Sequence, residues 1–479
     1  LAQVLLVNPN RMRPPVAPIA LDYLASALAD SGFEADILDL CFADDWASEI
    51  ERCLTANDVA VVAFSIRNTD DTSLATRDFF IPVFKRMLDC LKTHTGAPIV
   101  LGGSGFSIMP QSILGYCDIG LGIWGEGEHA LPLLVERIAA NQVYDDVPGL
   151  IYRSQDGFHR NPPAYVDLES IPAPRRTLVD NRRYFAGGGM GGIETKRGCP
   201  KRCVYCADPL GKGDRTRLRA PASVAGEIEA LLDMGIDHLH LCDSEFNLPP
   251  DHAEAVCREI VRRGLGSRVR WYAYCSPAPF TVELADLFKQ AGCAGINFGV
   301  DSADEGMLRS LGRDFTPADV ERTAQICRDK GIVFMYDLLI GAPGETRASL
   351  RHTIDSMKRL SPHRVGANLG VRLWPGTALA ESLGRQGRLD RNPGIHGTPD
   401  DKLFEPVFFI SPELGEDPGG YLSDVIGGDR RFLFMAGAAA GQNYNYNDNT
   451  LLSDAIGKGH RGAFWDILRR IDEGDGQPL

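Results

Sequence analysis

Apolar runs of strand length alternate with amphipathic helical segments twice along this chain, and a stretch rich in proline and glycine divides the two series. That alternation confines the fold to the α/β class, because each strand returns to a parallel sheet through a helix laid on its face. In the first series residues 2–8 form a continuous apolar run, as a strand buried on both faces requires. Residues 18–31 then set Leu21, Leu24 and Leu28 on one side of a helix. Residues 34–40, 59–65, 98–101 and 119–123 read as further strands, with a helix over 79–93. Two glycine clusters stand at strand ends: Gly102-Gly103-Ser104-Gly105 and Gly125-Glu126-Gly127-Glu128. Doubly wound sheets bind ligands at those ends, although glycines there also serve as plain turns.

The divide falls at 141–190, where prolines and the run Gly187-Gly188-Gly189-Met190-Gly191-Gly192 read as a linker, with a small hairpin around 149–165. The second series places helices at 223–234, 252–263, 282–291, 317–330 and 346–360. Strands lie between them at 238–242, 270–274, 295–300, 333–340 and 365–372. With the strand that precedes residue 199, this makes roughly six β-α units, a partial barrel short of the eight of a closed one. The pattern predicts a first domain over 1–140, the linker, a barrel over 191–385, and a C-terminal extension over 386–479 that ends in a helix.

Cys199, Cys203 and Cys206 stand in a C-x3-C-x2-C arrangement at the head of the second series. Three thiolates in one loop can hold three irons of a cubane cluster and leave the fourth open, or can form part of a zinc site. Zinc calls for a fourth Cys or His at a recognisable spacing, and none follows within 30 residues. Lys196, Arg197, Lys201 and Arg202 make the loop electropositive, which favours thiolates. The other cysteines are scattered and read as small buried hydrophobes.

The triplet, the aromatic Tyr205 before its last cysteine and the β/α array behind it resemble the radical S-adenosylmethionine (radical SAM) superfamily. The resemblance implies a [4Fe-4S] cluster on Cys199, Cys203 and Cys206, with S-adenosylmethionine (SAM) chelated to the open iron and cleaved to a 5′-deoxyadenosyl radical. It implies cofactor-binding roles for Tyr205, for Asp243 and Glu245 after the second barrel strand, for Asp301 and Ser302 after the fourth, and for Gly341 and Pro343 after the fifth. Trp374-Pro375-Gly376-Thr377 ends the sixth. Taken singly, each of these positions also suits a turn or a helix cap. The N-terminal series is similar to the Rossmann-like, cobalamin-binding-type domain of one branch of that superfamily. There Arg67, Asn68, Gly103, Ser104 and Gly125 would line a corrin pocket, with Arg67 toward the cobalt. The Asp-x-His-x-x-Gly signature that supplies a cobalt ligand is absent, so bound cobalamin is an open expectation, and a strand-end salt bridge is the alternative for Arg67.

Two reactions compete under this resemblance. The first is radical 1,2-diol dehydration of an aminoglycoside sugar, as in the aminoglycoside diol dehydratases of antibiotic biosynthesis, with an NADPH-dependent reductase as partner. The second is cobalamin-dependent C-methyl transfer. Either needs a one-electron reductant such as flavodoxin. Dehydration needs an acid and a base near the substrate, for which Asp337, Tyr274 and Tyr336 are the candidates, with carboxylates including Glu345 at the barrel mouth. The run Asn443-Tyr444-Asn445-Tyr446-Asn447 could close the site. A net charge of −14 argues against a nucleic-acid partner and is compatible with a cationic small molecule. No run of about 20 apolar residues suggests a membrane span, and no targeting segment is evident, which leads to a cytoplasmic expectation.

Overall fold

A computed structural model describes residues 3–56, 59–169, 171, 174–434 and 449–474. Its first sheet is built on β1 (Gln3–Asn8), which lies between β2 (Glu34–Asp39) and β3 (Val61–Ser65). Val4 and Leu6 pack into one apolar cluster, and Leu5 and Val7 into another. This is the two-sided burial expected of a continuous apolar run. β4 (Ile99–Gly102) and β5 (Leu121–Ile123) extend the parallel sheet. The hairpin expected around 149–165 forms as β6 (Leu150–Ser154) and β7 (Gly157–Arg160), and it joins the same sheet antiparallel to β5 instead of standing apart.

The second sheet opens with β8 (Gly191–Ile193). β9 (Lys196–Arg197) and β10 (Arg217–Leu218) form a short antiparallel pair beside it. β11 (His238–Leu241), β12 (Arg270–Cys275), β13 (Cys293–Asp301), β14 (Phe334–Ile340) and β15 (Arg364–Leu369) follow in parallel register. β16 (Val371–Arg372), β17 (Ile395–His396) and β18 (Phe408–Phe409) make a small separate sheet. β19 (Phe432–Leu433) closes the order β19-β15-β14-β13-β12-β11-β8. The helices between these strands begin at strong stop signals. Thr316 and Thr346 each close a capping box, and Thr281 caps the helix Val282–Gln290.

Period-two alternation sorts each barrel strand into two faces. Trp271, Ala273, Cys275, Ile296, Phe298, Phe334, Tyr336 and Leu338 join the core under the helices. His240, Tyr274, Asn297 and Asp337 occupy the alternate positions. At the lower end of the barrel, Tyr272 and Met335 pack against Ala463 and Trp465 from the C-terminal segment, and the Tyr272 hydroxyl donates to Asp466 at 2.8 Å. The helix Phe464–Asp472 is therefore part of the barrel's packing. Residues Asn443 to Asn447 lie outside the described residues.

Buried charge joins the N-terminal domain to the rest of the chain. Arg372 meets Asp70, which is 1% exposed, at 3.1 Å. Arg219 donates to the Tyr23 hydroxyl at 2.8 Å and to Glu227 at 2.6 Å, and Arg176 pairs with the same Glu227. Among the described residues no helix is long and apolar enough to cross a membrane.

Candidate active site

The loop that carries the three cysteines is closed at its base by the β9–β10 pair. Gly198 begins it with φ +81°, and a side chain there would run into the Arg215 carbonyl, so only glycine fits. Backbone bonds hold the loop: Cys199 N–H to Gly213 O at 3.1 Å, and Val204 N–H to Leu311 O at 3.0 Å. All three thiols are free and partly buried, and they act on one another electrostatically. Burial first, then Asp208, pushes the Cys206 thiol up to about 12. Thiols in that state become ligands when a cation arrives to take the negative charge. Among the described residues no three His, Cys, Asp or Glu side chains converge as the ligands of one ion do. Three free, partly buried thiols on one loop suit a cluster held by three cysteines.

Of the expected loop cations, Lys196 opposes the rise that burial imposes on the Cys199 thiol, while two others are engaged elsewhere. Arg197 is paired with Glu128 at 2.6 Å, Glu194 at 2.9 Å and Glu126 at 3.6 Å, and Lys201 is paired with Asp314. Their charge is spent away from sulfur. A further cation reaches the loop from outside it: the Arg313 guanidinium donates to Cys203 Sγ at 3.0 Å and pairs with Glu245 at 3.1 Å and Asp301 at 3.4 Å. Tyr205 completes the cluster by donating to Asp301 at 2.6 Å. Asp301 itself sits at φ +62°, which aims its carboxylate back at the loop. Burial raises both Glu245 and Asp301, and Arg313 opposes the rise. Glu245 Oε2 is buried without a hydrogen-bond partner, so it is open to a donor from a cofactor.

Other expected cofactor residues make contacts within the protein. Asp243 accepts from Thr195 N–H at 2.9 Å, Thr195 Oγ1 at 2.5 Å and Lys196 N–H at 3.3 Å, so its carboxylate is already committed to fastening the strand that leads into the cysteine loop. The Ser302 hydroxyl lies 3.0 Å from Thr353 Oγ1 and accepts from Asp304 N–H, inside the core. Gly341, at φ +99°, donates its N–H to Glu345, and Pro343 lies in a shallow recess with Asp304 and Met307. Tyr336 is fully buried, and its hydroxyl donates to Val320 O at 2.8 Å. It faces the helices, so it is excluded from the barrel interior where Asp337 lies.

The N-terminal domain contributes the opposite wall. Arg67 is exposed after β3, where it donates to Asn68 Oδ1 at 3.1 Å and to Met12 Sδ at 3.4 Å, with no carboxylate partner among the described residues. Burial first, and then the Arg67 charge, oppose protonation of His240 on β11, so the walls of the two domains face each other here. Ser104 Oγ donates to the Arg67 carbonyl at 3.0 Å. Gly103 has φ +104°, and a Cβ there would lie 2.5 Å from Ile66 O. A Cβ on Gly105 would lie 2.8 Å from Arg67 O. These glycines thus let one strand-end loop close on the other and fix the Arg67 turn. Gly125, at φ +85°, is held through its N–H by Ser107 Oγ at 3.0 Å.

Between these walls stand Tyr274, His240 and Asp337. Tyr274 is 41% exposed, with its ring centroid 5.4 Å from that of His240. Burial pushes His240 down to about 4, so it is neutral at pH 7. Burial, opposed by a hydrogen bond from Asn297, pushes Asp337 up to about 6. Arg313, Asn297 and His240 were not singled out from the sequence. Isolated basic and amide residues carry no motif, and only the fold brings them to the cysteines and the interior.

The Radical SAM superfamily model matches residues 193–357, and the B12 binding domain model matches residues 11–135. A tryptophan 2-C-methyltransferase from Streptomyces laurentii is 33% identical over 96% of this chain and 95% of its own. The solved structure of the radical S-adenosylmethionine methyltransferase TsrM from Kitasatospora setae, with tryptophan substrate and a SAM analogue bound, has a TM-score of 0.92 at 34% identity, covering 99% of each chain. OxsB, a cobalamin-dependent S-adenosylmethionine radical enzyme, has a TM-score of 0.71 at 17% identity over 86% of this chain and 64% of its own, a likeness of fold. Together with the cysteine loop and the facing N-terminal wall, these matches establish that the chain belongs to the radical SAM superfamily, in the branch that carries an N-terminal B12-binding domain.

Proposed function

We propose that the protein is a cobalamin-dependent C-methyltransferase that carries a methyl group from SAM to a ring carbon of a small aromatic substrate of the tryptophan kind. The observation that carries this reading is the end-to-end match to a tryptophan 2-C-methyltransferase, which spans both domains and the C-terminal segment. Radical dehydration of an aminoglycoside has no support in the comparisons above.

Cys199, Cys203 and Cys206 would hold the [4Fe-4S] cluster, Glu245 would receive a cofactor donor, and Arg67, Asn68 and Ser104 would face cobalamin. When bound, these groups supply single electrons and a carrier for the methyl group that SAM provides. The chain's own part is to bind, orient and move protons. Arg67 offers only N–H donors, so it presents charge without ligating a metal. Replacing C–H by C–CH3 releases one proton, which Asp337, raised to about 6 by burial, would take up more readily than the neutral His240.

The test is anaerobic incubation of the reconstituted protein with SAM, tryptophan and a low-potential one-electron reductant, with and without cobalamin. The expected result is S-adenosylhomocysteine and a product heavier by one methyl group, only when cobalamin is present. Loss of water from an aminoglycoside, with 5′-deoxyadenosine formed in the absence of cobalamin, would overturn the reading.

A further inference from the structure

The middle of the barrel wall holds more hydrogen-bond acceptors than donors. Asn297 on β13 donates through Nδ2 to Asp337 Oδ2 on β14 at 2.6 Å. That is the hydrogen bond shown for the Asp337 side chain, and no ion pair with Asp337 is found among the described residues. Asn297 is 6% exposed, and its Oδ1 is buried without a partner. On β15 the residue opposite Asp337 is Gly366. A side chain there would collide with Asp337 Oδ1, so the carboxylate rests against bare backbone. Across the interior, His240 Nδ1 lies 2.9 Å from Leu241 O. In the neutral ring Nδ1 is then the donor, and Nε2 is a further acceptor.

A buried amide oxygen without a donor, beside a carboxylate without a cation, is costly unless a ligand brings both. Water could supply the donors and would leave the charge unanswered. A hard metal ion wants six or more oxygens, and this layer offers fewer. A primary ammonium carries three donors and one positive charge on a single small atom. The half-exposed Tyr274 ring supplies a flat wall for an aromatic body attached to such a group.

We propose that Asp337 and Asn297 hold the protonated primary amine of an amino-acid-type substrate, a specificity device that rests on the reading of the site as a methyltransferase. SAM also carries an α-amine. The substrate is favoured because the cysteine loop, through Tyr205 and Arg313, gathers Asp301 and Glu245 at the strand ends, whereas Asp337 lies further back along its own strand.

The experiment uses the reconstituted, cobalamin-loaded protein. Binding and turnover are compared for tryptophan, tryptamine (amine without carboxylate) and indole-3-propionate (carboxylate without amine), in the wild type, Asp337→Asn and Asn297→Leu. Tryptamine is expected to bind and indole-3-propionate to bind at least about tenfold more weakly. Asp337→Asn is expected to raise the KM for tryptophan about tenfold or more, leaving the weak affinity for indole-3-propionate and the affinity for SAM where they were. Asn297→Leu, which keeps the carboxylate, weakens the same two amines and gives a second test should Asp337→Asn not fold. Equal binding of the amine and its desamino analogue overturns the proposal, and so does a loss of SAM affinity in Asp337→Asn, which would give the site to the SAM amine. S-adenosylhomocysteine formation by the wild type reports separately on the methyltransferase reading, so the two can fail independently.

Discussion

The guanidinium of Arg313 donates to the sulfur of Cys203 at 3.0 Å, although 110 residues separate the two in the chain. The same side chain answers Glu245 and Asp301 and donates to the Gly299 carbonyl at 2.7 Å. One buried cation thus ties the cysteine loop to the ends of β11 and β13. Arg313→Ala would leave two buried carboxylates unanswered, a loss of about 3–5 kcal/mol in unfolding free energy. Iron retained after reconstitution is expected to fall with it. Arg313→Lys keeps the charge but cannot reach all partners from one planar fork, so it should fall between the two. Denaturant unfolding and iron analysis check both variants.

The Arg67 turn depends on Gly103. Its φ of +104° disfavours any side chain, and the added Cβ would press on Ile66 O at 2.5 Å. Gly103→Ala is expected to cost about 1–3 kcal/mol and to weaken cobalamin binding by moving the turn. Gly102→Ala is the control, since its Cβ would meet only Ile123 O, at 3.6 Å. Equilibrium titration with cobalamin, read beside thermal melts, separates the two variants.

Tyr336→Phe should remove one buried hydrogen bond to Val320 O and nothing else, about 1 kcal/mol. Turnover should match the wild type. A fall in kcat without a fall in stability would return Tyr336 to the chemistry.

Glu345 is 2% exposed, and its carboxylate accepts from the Gly341 N–H. Burial raises it from 4.5 to about 7, against the pull of the Gly341 and Ala342 amides. The folded state therefore binds the proton more tightly than the unfolded chain. Its contribution to stability is complete below about pH 4.5 and is lost as pH rises through about 7, an effect of about 3 kcal/mol. Urea unfolding at pH 5 and pH 8 should show the wild type losing stability over this window and Glu345→Gln losing much less. Parallel losses in both proteins would refute the assignment.

The strands, the helices and the cysteine loop were legible because each follows a short-range rule. Alternation fixes which way a side chain points, and the same rule separates Tyr336 from Asp337, since adjacent residues on one strand cannot both face the interior. Asp243 shows the opposite case. Its place at a strand end is visible in the sequence, yet its three hydrogen bonds to Thr195 and Lys196 are decided by how β8 and β11 lie together. Arg313 and the Asn297–Asp337 pair were out of reach for a similar reason. Their meaning comes from partners far along the chain or on a neighbouring strand. The reaction was least legible, because the cysteine loop is common to the superfamily and the choice of chemistry lies in whole-chain likeness to a methyltransferase.

Trp465 and Ala463, wedged beneath Tyr272 and Met335, give the barrel a floor. With that end filled by side chains, the cysteine loop and the N-terminal domain stand at the other. Trp465 leaves no way in from below for a molecule that reaches the His240–Asp337 level. A guest held at that level therefore rests on protein below and meets its cofactors only from above.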